Sequence, residues 1–115
     1  MVDLKIIKIG LDIDDCLDID KIHKKIIRYK NLVDRYIVYK SAGGKGLHFE
    51  LYLNKPVNIG ESFEIRENLG DCKNRLAFSK ADFIRGWDFD ILFTYKKIGN
   101  TWKRRTFLDE IIVRK

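Results

Sequence analysis

Apolar residues alternate with polar ones over residues 4–14 and then recur every three to four positions over residues 18–34. The first spacing is typical of a β-strand with one buried face, and the second is typical of an amphipathic helix. Within the strand, the odd-numbered positions 7–13 form the predicted core face. Asp12 and Asp14 are therefore expected to point together to the opposite face. A strand followed by such a helix implies a sheet against which the helix packs.

Two further strands are predicted on either side of a glycine-rich turn. Residues 36–39 are rich in β-forming residues, and residues 47–53 alternate between apolar and polar side chains. The segment 43–46 between them contains three glycines, which adopt positive φ values in tight turns at little steric cost. We therefore expect a β-hairpin with one apolar face and with His48 on its polar face.

The second half of the chain predicts a helix followed by two strands. Residues 61–69 follow a helical pattern that a glycine ends, while residues 71–85 leave open whether a helix continues or breaks. Residues 87–95 alternate and predict a fourth strand, and a Gly-Asn turn leads into a last strand over residues 102–108. The order is βαββαβ with an added C-terminal strand. It predicts an α+β fold, specifically a ferredoxin-like or RNA-recognition-motif-like (RRM-like) sandwich.

The composition favours one globular domain spanning residues 1–115 in the cytoplasm. Hydrophobic residues make up 45% of the chain and aromatic residues 12%, which is enough for a core. No apolar run is long enough for a transmembrane helix, and the first ten residues lack the apolar centre of a signal peptide, so no membrane partner is expected. Two cysteines are too few for a disulfide scaffold, and no cysteine/histidine cluster has zinc spacing.

Positive charge concentrates at the C-terminal end. The net charge is +6, and residues 91–115 carry seven basic and two acidic residues. Lys103, Arg104 and Arg105 lie beside Trp102, and such cations neutralise phosphates while aromatic rings stack on bases. The pattern predicts contact with single-stranded DNA or RNA. A solvated basic surface with Trp102 in the core is the alternative.

The pair Asp12 and Asp14 is the first candidate for chemistry. Two carboxylates at this spacing on a strand lie about 7 Å apart. Their mutual repulsion is relieved by a cation, and Mg²⁺ or Mn²⁺ prefers oxygen ligands. The pair predicts a metal site that holds substrate phosphates. The alternative is that both are exposed acids where the strand enters a turn.

The turn from Ser41 to His48 is the second candidate. A glycine-rich turn brings backbone N–H groups close to an anion, and Lys45 adds a positive charge. The His48 imidazole can donate to phosphate oxygens or transfer a proton. A plain hairpin turn with a polar surface histidine is the alternative.

Together, the Asp12-Ile13-Asp14 motif and the Ser41-to-His48 motif resemble the catalytic core of archaeo-eukaryotic primases, from roughly residue 9 to residue 95. The resemblance implies that Asp12 and Asp14 hold a divalent metal. It also implies that Ser41 and His48 contact nucleotide phosphates, and that nucleotidyl transfer is assisted by two metals.

A second stretch, which begins at Gly70-Asp71 and includes Arg75, is similar to small primase-like proteins of phages and archaea. Arg75 is accordingly expected to bind phosphate or nucleotide. Asp90 is the preferred third metal ligand, with Asp88 second, and strand alternation places both on one face. Without the zinc-binding and helical additions of longer primases, the chain resembles a minimal archaeal or viral member.

The sequence thus predicts a minimal primase-like domain that performs metal-dependent nucleotidyl or phosphodiester transfer on an open sheet face. The alternative is a catalytically inactive RRM-like protein of an archaeal mobile element or virus that binds nucleic acid or forms a homodimer. A rolling-circle replication initiator ranks lower because it needs paired metal-binding histidines, and only His48 is suitably placed.

Overall fold

The computed structural model describes residues 5–86, 88–90, 92 and 95–114. Within these residues the chain forms a four-stranded antiparallel sheet, three α-helices and a separate two-stranded hairpin, which confirms the predicted α+β class. A short 3₁₀ turn at Ile27–Tyr29 follows the first helix. In chain order the elements are β1 (Ile6–Ile13), α1 (Ile19–Ile26), β2 (Val33–Lys40), β3 (Leu47–Val57), α2 (Ile59–Asn68), α3 (Lys73–Ile84), β4 (Tyr95–Ile98), β5 (Thr101–Arg104) and β6 (Thr106–Ile112).

The core lies between one face of the sheet and the helices α1 and α2. The sheet contributes alternate residues of β1, β2 and β3, and the helices contribute isoleucine and leucine side chains. The fully or nearly buried members include Ile9, Leu11, Val38, Phe49, Leu51, Ile22, Ile26, Ile65 and Leu69. Ile7 is an exception to the predicted core face, since it is 62% exposed. A register shift between Ile6 and Lys8 in the pairing with β3 interrupts the alternation there, and Ile6 packs against the core instead.

Side-chain caps begin two of the helices. Asp18 accepts a hydrogen bond from the Lys21 backbone N–H at the start of α1, and Asn58 accepts one from the Glu61 backbone N–H at the start of α2. The segment 71–85, left open by its pattern, forms α3. No helix among the described residues combines the length and apolarity that crossing a membrane requires.

The strand order of the sheet is β1-β3-β2-β6, and in the part of the chain that the structure describes β4 pairs only with β5. The fourth strand of the sheet is therefore the C-terminal β6, which lies beside β2. The strand predicted over residues 87–95 is wrong for residues 88–90 and 92, which lie outside any strand, while residues 87, 91, 93 and 94 lie outside the described part. The ferredoxin-like order is accordingly not confirmed.

Polar groups, rather than a strand, satisfy the outer edge of β1. The Gly10 N–H donates to Asp90 at 2.9 Å, and the Asp12 N–H donates to Asp71 at 2.8 Å. The Gly10 carbonyl accepts from Arg75 at 3.1 Å, and the Asp12 carbonyl accepts from the Cys72 N–H at 2.8 Å. Because unpaired edge groups invite pairing with other strands, these contacts complete β1 and fix the segments after α2 and α3 beside it.

Candidate functional site

A cavity of about 850 Å³ opens on the face of the sheet opposite the core. Its walls come from the end of β1, the β2–β3 turn, β3, α3 and the segment after α3. Seven residues singled out in the sequence line it: Asp12, Asp14, Ser41, Lys45, His48, Arg75 and Asp88. The fold thus brings together motifs that lie more than sixty positions apart in the chain.

Asp12 and His48 face each other at paired positions of β1 and β3. The Asp12 backbone N–H bonds outward from β1, away from β3. Asp12 and His48 therefore form a non-hydrogen-bonded pair, the kind of cross-strand pair in which side chains approach most closely. The distance from His48 Nε2 to Asp12 Oδ1 is 3.5 Å. His48 lies on the predicted face but is only 5% exposed, so it is not a surface histidine.

Burial shifts the pKa values of this pair in opposite directions. Burial first, and then the positive charges of Arg105 and Arg75, lower the pKa of His48 to about 4. Burial, followed by repulsion from Asp14, raises the pKa of Asp12 to about 6. At neutral pH the imidazole is therefore uncharged, and the Asp12 carboxylate is ionised at an energetic cost.

The glycine turn is held by Ser41 and fits tightly against β1. The Gly46 N–H donates to Ser41 Oγ at 3.2 Å, and the Gly44 N–H donates to the Ser41 carbonyl at 2.8 Å. Gly44 has a φ of +75°, and a Cβ on Gly46 would come within 2.5 Å of the Ile13 carbonyl oxygen. Only glycine permits this approach, which sets the turn beside Asp14. Lys45 is exposed at the same turn.

Arg75 is held within a buried network that the sequence did not reveal. Arg66, only 1% exposed, donates to Asp71 at 2.7 Å and to Ser79 at 2.9 Å. Asp71 also accepts from Arg75 at 2.8 Å, and Arg75 forms an ion pair with Asp90. The only sequence signal was the four-residue spacing from Asp71, just before α3, to Arg75 in the first turn of α3.

The two candidate third acids differ in what they face. Asp90 accepts hydrogen bonds from Gly10 and Arg75, so its carboxylate already has two partners. Asp88 is exposed and lines the cavity with Asp12 and Asp14. The described residues contain no group of three histidine, cysteine or acidic side chains arranged to hold a metal ion.

The predicted basic end divides into an exposed and an inward part. Lys103 and Arg104 lie on β5, whose four residues are all exposed. Arg105 instead donates to Glu50 at 3.1 Å, and its guanidinium carbon lies 3.6 Å from the Tyr39 ring centroid. Arg105 therefore packs on the sheet beside His48 and lies apart from the exposed cations of the hairpin.

Comparison with protein-family models, curated proteins and solved structures finds no significant match to this chain. The side chains that line the cavity indicate which ligands it suits. Carboxylates, a neutral imidazole, two lysines and two serine hydroxyls line one cavity with apolar walls from Phe78, Phe89 and Leu92. A concavity in which polar groups converge beside apolar walls is typical of a small-molecule site.

Proposed function

We propose that the cavity binds nucleotide phosphates together with Mg²⁺ or Mn²⁺ and performs nucleotidyl or phosphodiester transfer, in the manner of a minimal primase-like domain. The observation that carries the proposal is the convergence of Asp12, Asp14, Lys45 and His48 on one cavity. The β1–β3–β2 part of the sheet, with α1 on its core face, supports an RRM-like origin for this half of the chain.

The acidic residues fit a hard divalent cation. The Asp12 and Asp14 carboxylates line the same cavity. Burial and then repulsion from Asp14 raise the pKa of Asp12, and a cation bound between the two carboxylates would relieve that repulsion. Asp88, in the segment after α3, lines the same cavity and supplies a third carboxylate. When bound, the metal would neutralise phosphate charge and polarise the phosphoryl oxygens.

Lys45 and His48 act on the substrate directly. Lys45 on the glycine turn attracts phosphate oxygens as a point charge. The uncharged His48 imidazole, whose Nδ1 has no hydrogen-bond partner in the described part of the chain, can accept a proton from an attacking hydroxyl or donate to a phosphate oxygen. Ser41 holds the turn in place through Gly46.

Metal titration tests the proposal. Isothermal titration with Mn²⁺ should give a binding isotherm with the native protein and none with the Asp12→Asn/Asp14→Asn variant. The Asp109→Asn/Glu110→Gln variant removes the same charge from β6, away from the cavity, and should bind like the native protein. Equal heats from all three proteins would refute the metal site.

A second titration separates the two candidate third ligands. If Asp88→Asn loses affinity for Mn²⁺ and Asp90→Asn does not, Asp88 is the third metal ligand. The reverse result would make Asp90 the third ligand. Turnover is measured by incorporation of labelled nucleotides on a single-stranded template in the presence of Mn²⁺. Incorporation that survives in Asp12→Asn/Asp14→Asn would contradict the assigned catalytic role.

The exposed hairpin favours a second candidate function, a nucleic-acid-binding module without catalysis. Trp102 is 66% exposed on β5 and pairs with Lys97 on β4. Cations beside an exposed aromatic ring suit a single strand. Affinity for labelled single-stranded DNA, measured by anisotropy, should fall steeply with salt and be reduced in Lys103→Glu/Arg104→Glu. Binding that does not change with salt would count against it.

A further inference from the structure

Phe78 on α3 is an exposed aromatic side chain in the wall of the cavity. It is 70% exposed, although a phenylalanine gains free energy when it is removed from water. Phe89 lines the same cavity but packs edge-on against Phe63 and Phe83, with ring centroids 6.1 and 5.6 Å apart. The packing of the described residues therefore leaves the Phe78 ring open to the cavity.

Two hydrogen-bonding side chains flank Phe78 along the same helix face. Asn74 and Asp82 also line the cavity, four residues before and four residues after Phe78. With a rise of 1.5 Å per residue, each lies about 6 Å from Phe78 along the helix axis. An aromatic face between an amide and a carboxylate offers stacking together with donors and acceptors, the groups that recognise a nucleobase.

Two lysines, Lys45 on the glycine turn and Lys96 on β4, place positive charge in the same cavity. Lys45 and Lys96 are exposed and line it, and the Lys96 ammonium lies 3.9 Å from the position that a Cβ on Gly43 would occupy. A ligand that spans the cavity thus meets an aromatic face on α3 and cations at the turn. A nucleotide carries an aromatic base and anionic phosphates, which complement these two features. The cavity volume of about 850 Å³ accommodates a molecule of that size.

We infer that Phe78 stacks on the base of a nucleoside triphosphate, with Asn74 and Asp82 placed to hydrogen-bond its edge and the phosphates directed to Lys45 and Lys96. This inference rests on the proposed function, because it names the part of the substrate that the α3 wall recognises. It makes Phe78 a binding residue for the base and gives it no part in the reaction at the phosphates.

The test compares two ligands that share the phosphates but differ in the base. Isothermal titration in Mg²⁺ is run with adenosine triphosphate and with inorganic tripolyphosphate. Phe78→Ala should lower the affinity for adenosine triphosphate roughly 5- to 100-fold and leave the affinity for tripolyphosphate unchanged. Phe78→Trp, which keeps an aromatic face, should retain the native affinity. Ile84→Ala is the matched control, since Ile84 is 84% exposed near the end of α3 and does not line the cavity.

The outcomes separate failure of the inference from failure of the proposed function. If the native protein binds tripolyphosphate as tightly as adenosine triphosphate and Phe78→Ala changes neither, base stacking is refuted while the phosphate site stands. If the native protein binds neither ligand, both proposals fall. If Ile84→Ala lowers the affinity for adenosine triphosphate as much as Phe78→Ala does, the effect does not come from the cavity and the inference fails.

Discussion

Asp12 and His48 occupy paired positions on β1 and β3, with His48 Nε2 3.5 Å from Asp12 Oδ1. Burial raises the pKa of Asp12 to about 6 and lowers that of His48 to about 4. Their uncharged forms are the ones that the fold favours. An acid and a base that are both poised away from their ordinary pKa values are typical of functional sites, where stability is given up for chemistry. Both shifts make the stability of the fold depend on pH.

Asp12→Asn should stabilise the protein at pH 7.5. The pKa of Asp12 rises from 3.8 unfolded to about 6 folded, so the folded state loses stability as pH rises through this interval. Removing the charge should raise the free energy of unfolding by about 1–2 kcal/mol, discounted for partial exposure of the side chain. Urea unfolding at pH 7.5 and pH 3.5 checks this, and the gain should vanish at pH 3.5. A destabilised variant at pH 7.5 would contradict the shift.

His48 should remain uncharged until strongly acidic pH. Its pKa falls from 6.5 unfolded to about 4 folded, so the unfolded state takes up the proton first and stability is lost as pH falls through this window. The ring-proton NMR shift of His48 should stay constant from pH 7 to pH 5. Arg105→Met should raise its midpoint, because the Arg105 charge is the second cause of the shift. A native midpoint near 6.5 would refute the burial of this imidazole.

Asp71→Asn should destabilise the fold strongly. Asp71 is the buried partner of Arg66 and also accepts from the Asp12 N–H, so the change leaves a buried guanidinium without its carboxylate. We expect a loss of about 3–5 kcal/mol in the free energy of unfolding. Glu110→Gln is the control, because its ion pair with Arg35 is exposed and should be worth about 0–1 kcal/mol. Similar small losses from both variants would show that the buried network contributes little.

Two glycine-to-alanine changes should act in opposite directions. A Cβ on Gly10 would come within 2.6 Å of Asp90 Oδ1 and 3.1 Å of Arg75 Nη2, so Gly10→Ala should cost about 1–3 kcal/mol. Gly60 lies in the first turn of α2, where the nearest atom to an added Cβ is Asn58 Oδ1 at 3.4 Å, and alanine should gain about 0.5 kcal/mol. Thermal unfolding of both variants checks the signs. A Gly10→Ala protein as stable as the native one would show that the ion pair over Gly10 shifts freely.

The first half of the fold could be predicted from the chain. The alternation in β1 and β3, the helical spacing of α1 and the glycine turn are signals contained in neighbouring residues. The same signals placed Asp12 and His48 on one sheet face, because side-chain direction in a paired strand follows from position alone. Asp14, predicted on the same strand, lies in the turn just after β1 and lines the same cavity. The Gly99 turn between β4 and β5 was predicted for the same reason.

The buried network could not be predicted in this way. From the helical pattern alone, Arg66 is expected on the helix surface. Its burial depends on acceptors at Asp71, Ser79 and Phe89, which only the folded chain brings to it. A buried arginine is favourable only when such partners surround it, and their assembly has no local signature.

By itself, the sequence determined the periodic elements and the polar face on which the candidate site is built, since both follow from the spacing of apolar residues along one segment. Tertiary structure decided what covers the edge of β1. The alternation in residues 87–95 favours a strand, but Asp71, Arg75 and Asp90 satisfy the outward backbone groups of Gly10 and Asp12. The Gly10 and Asp12 N–H groups, once bonded to side chains, are not left to pair with a further strand. The fourth strand of the sheet is instead β6, at the opposite edge beside β2.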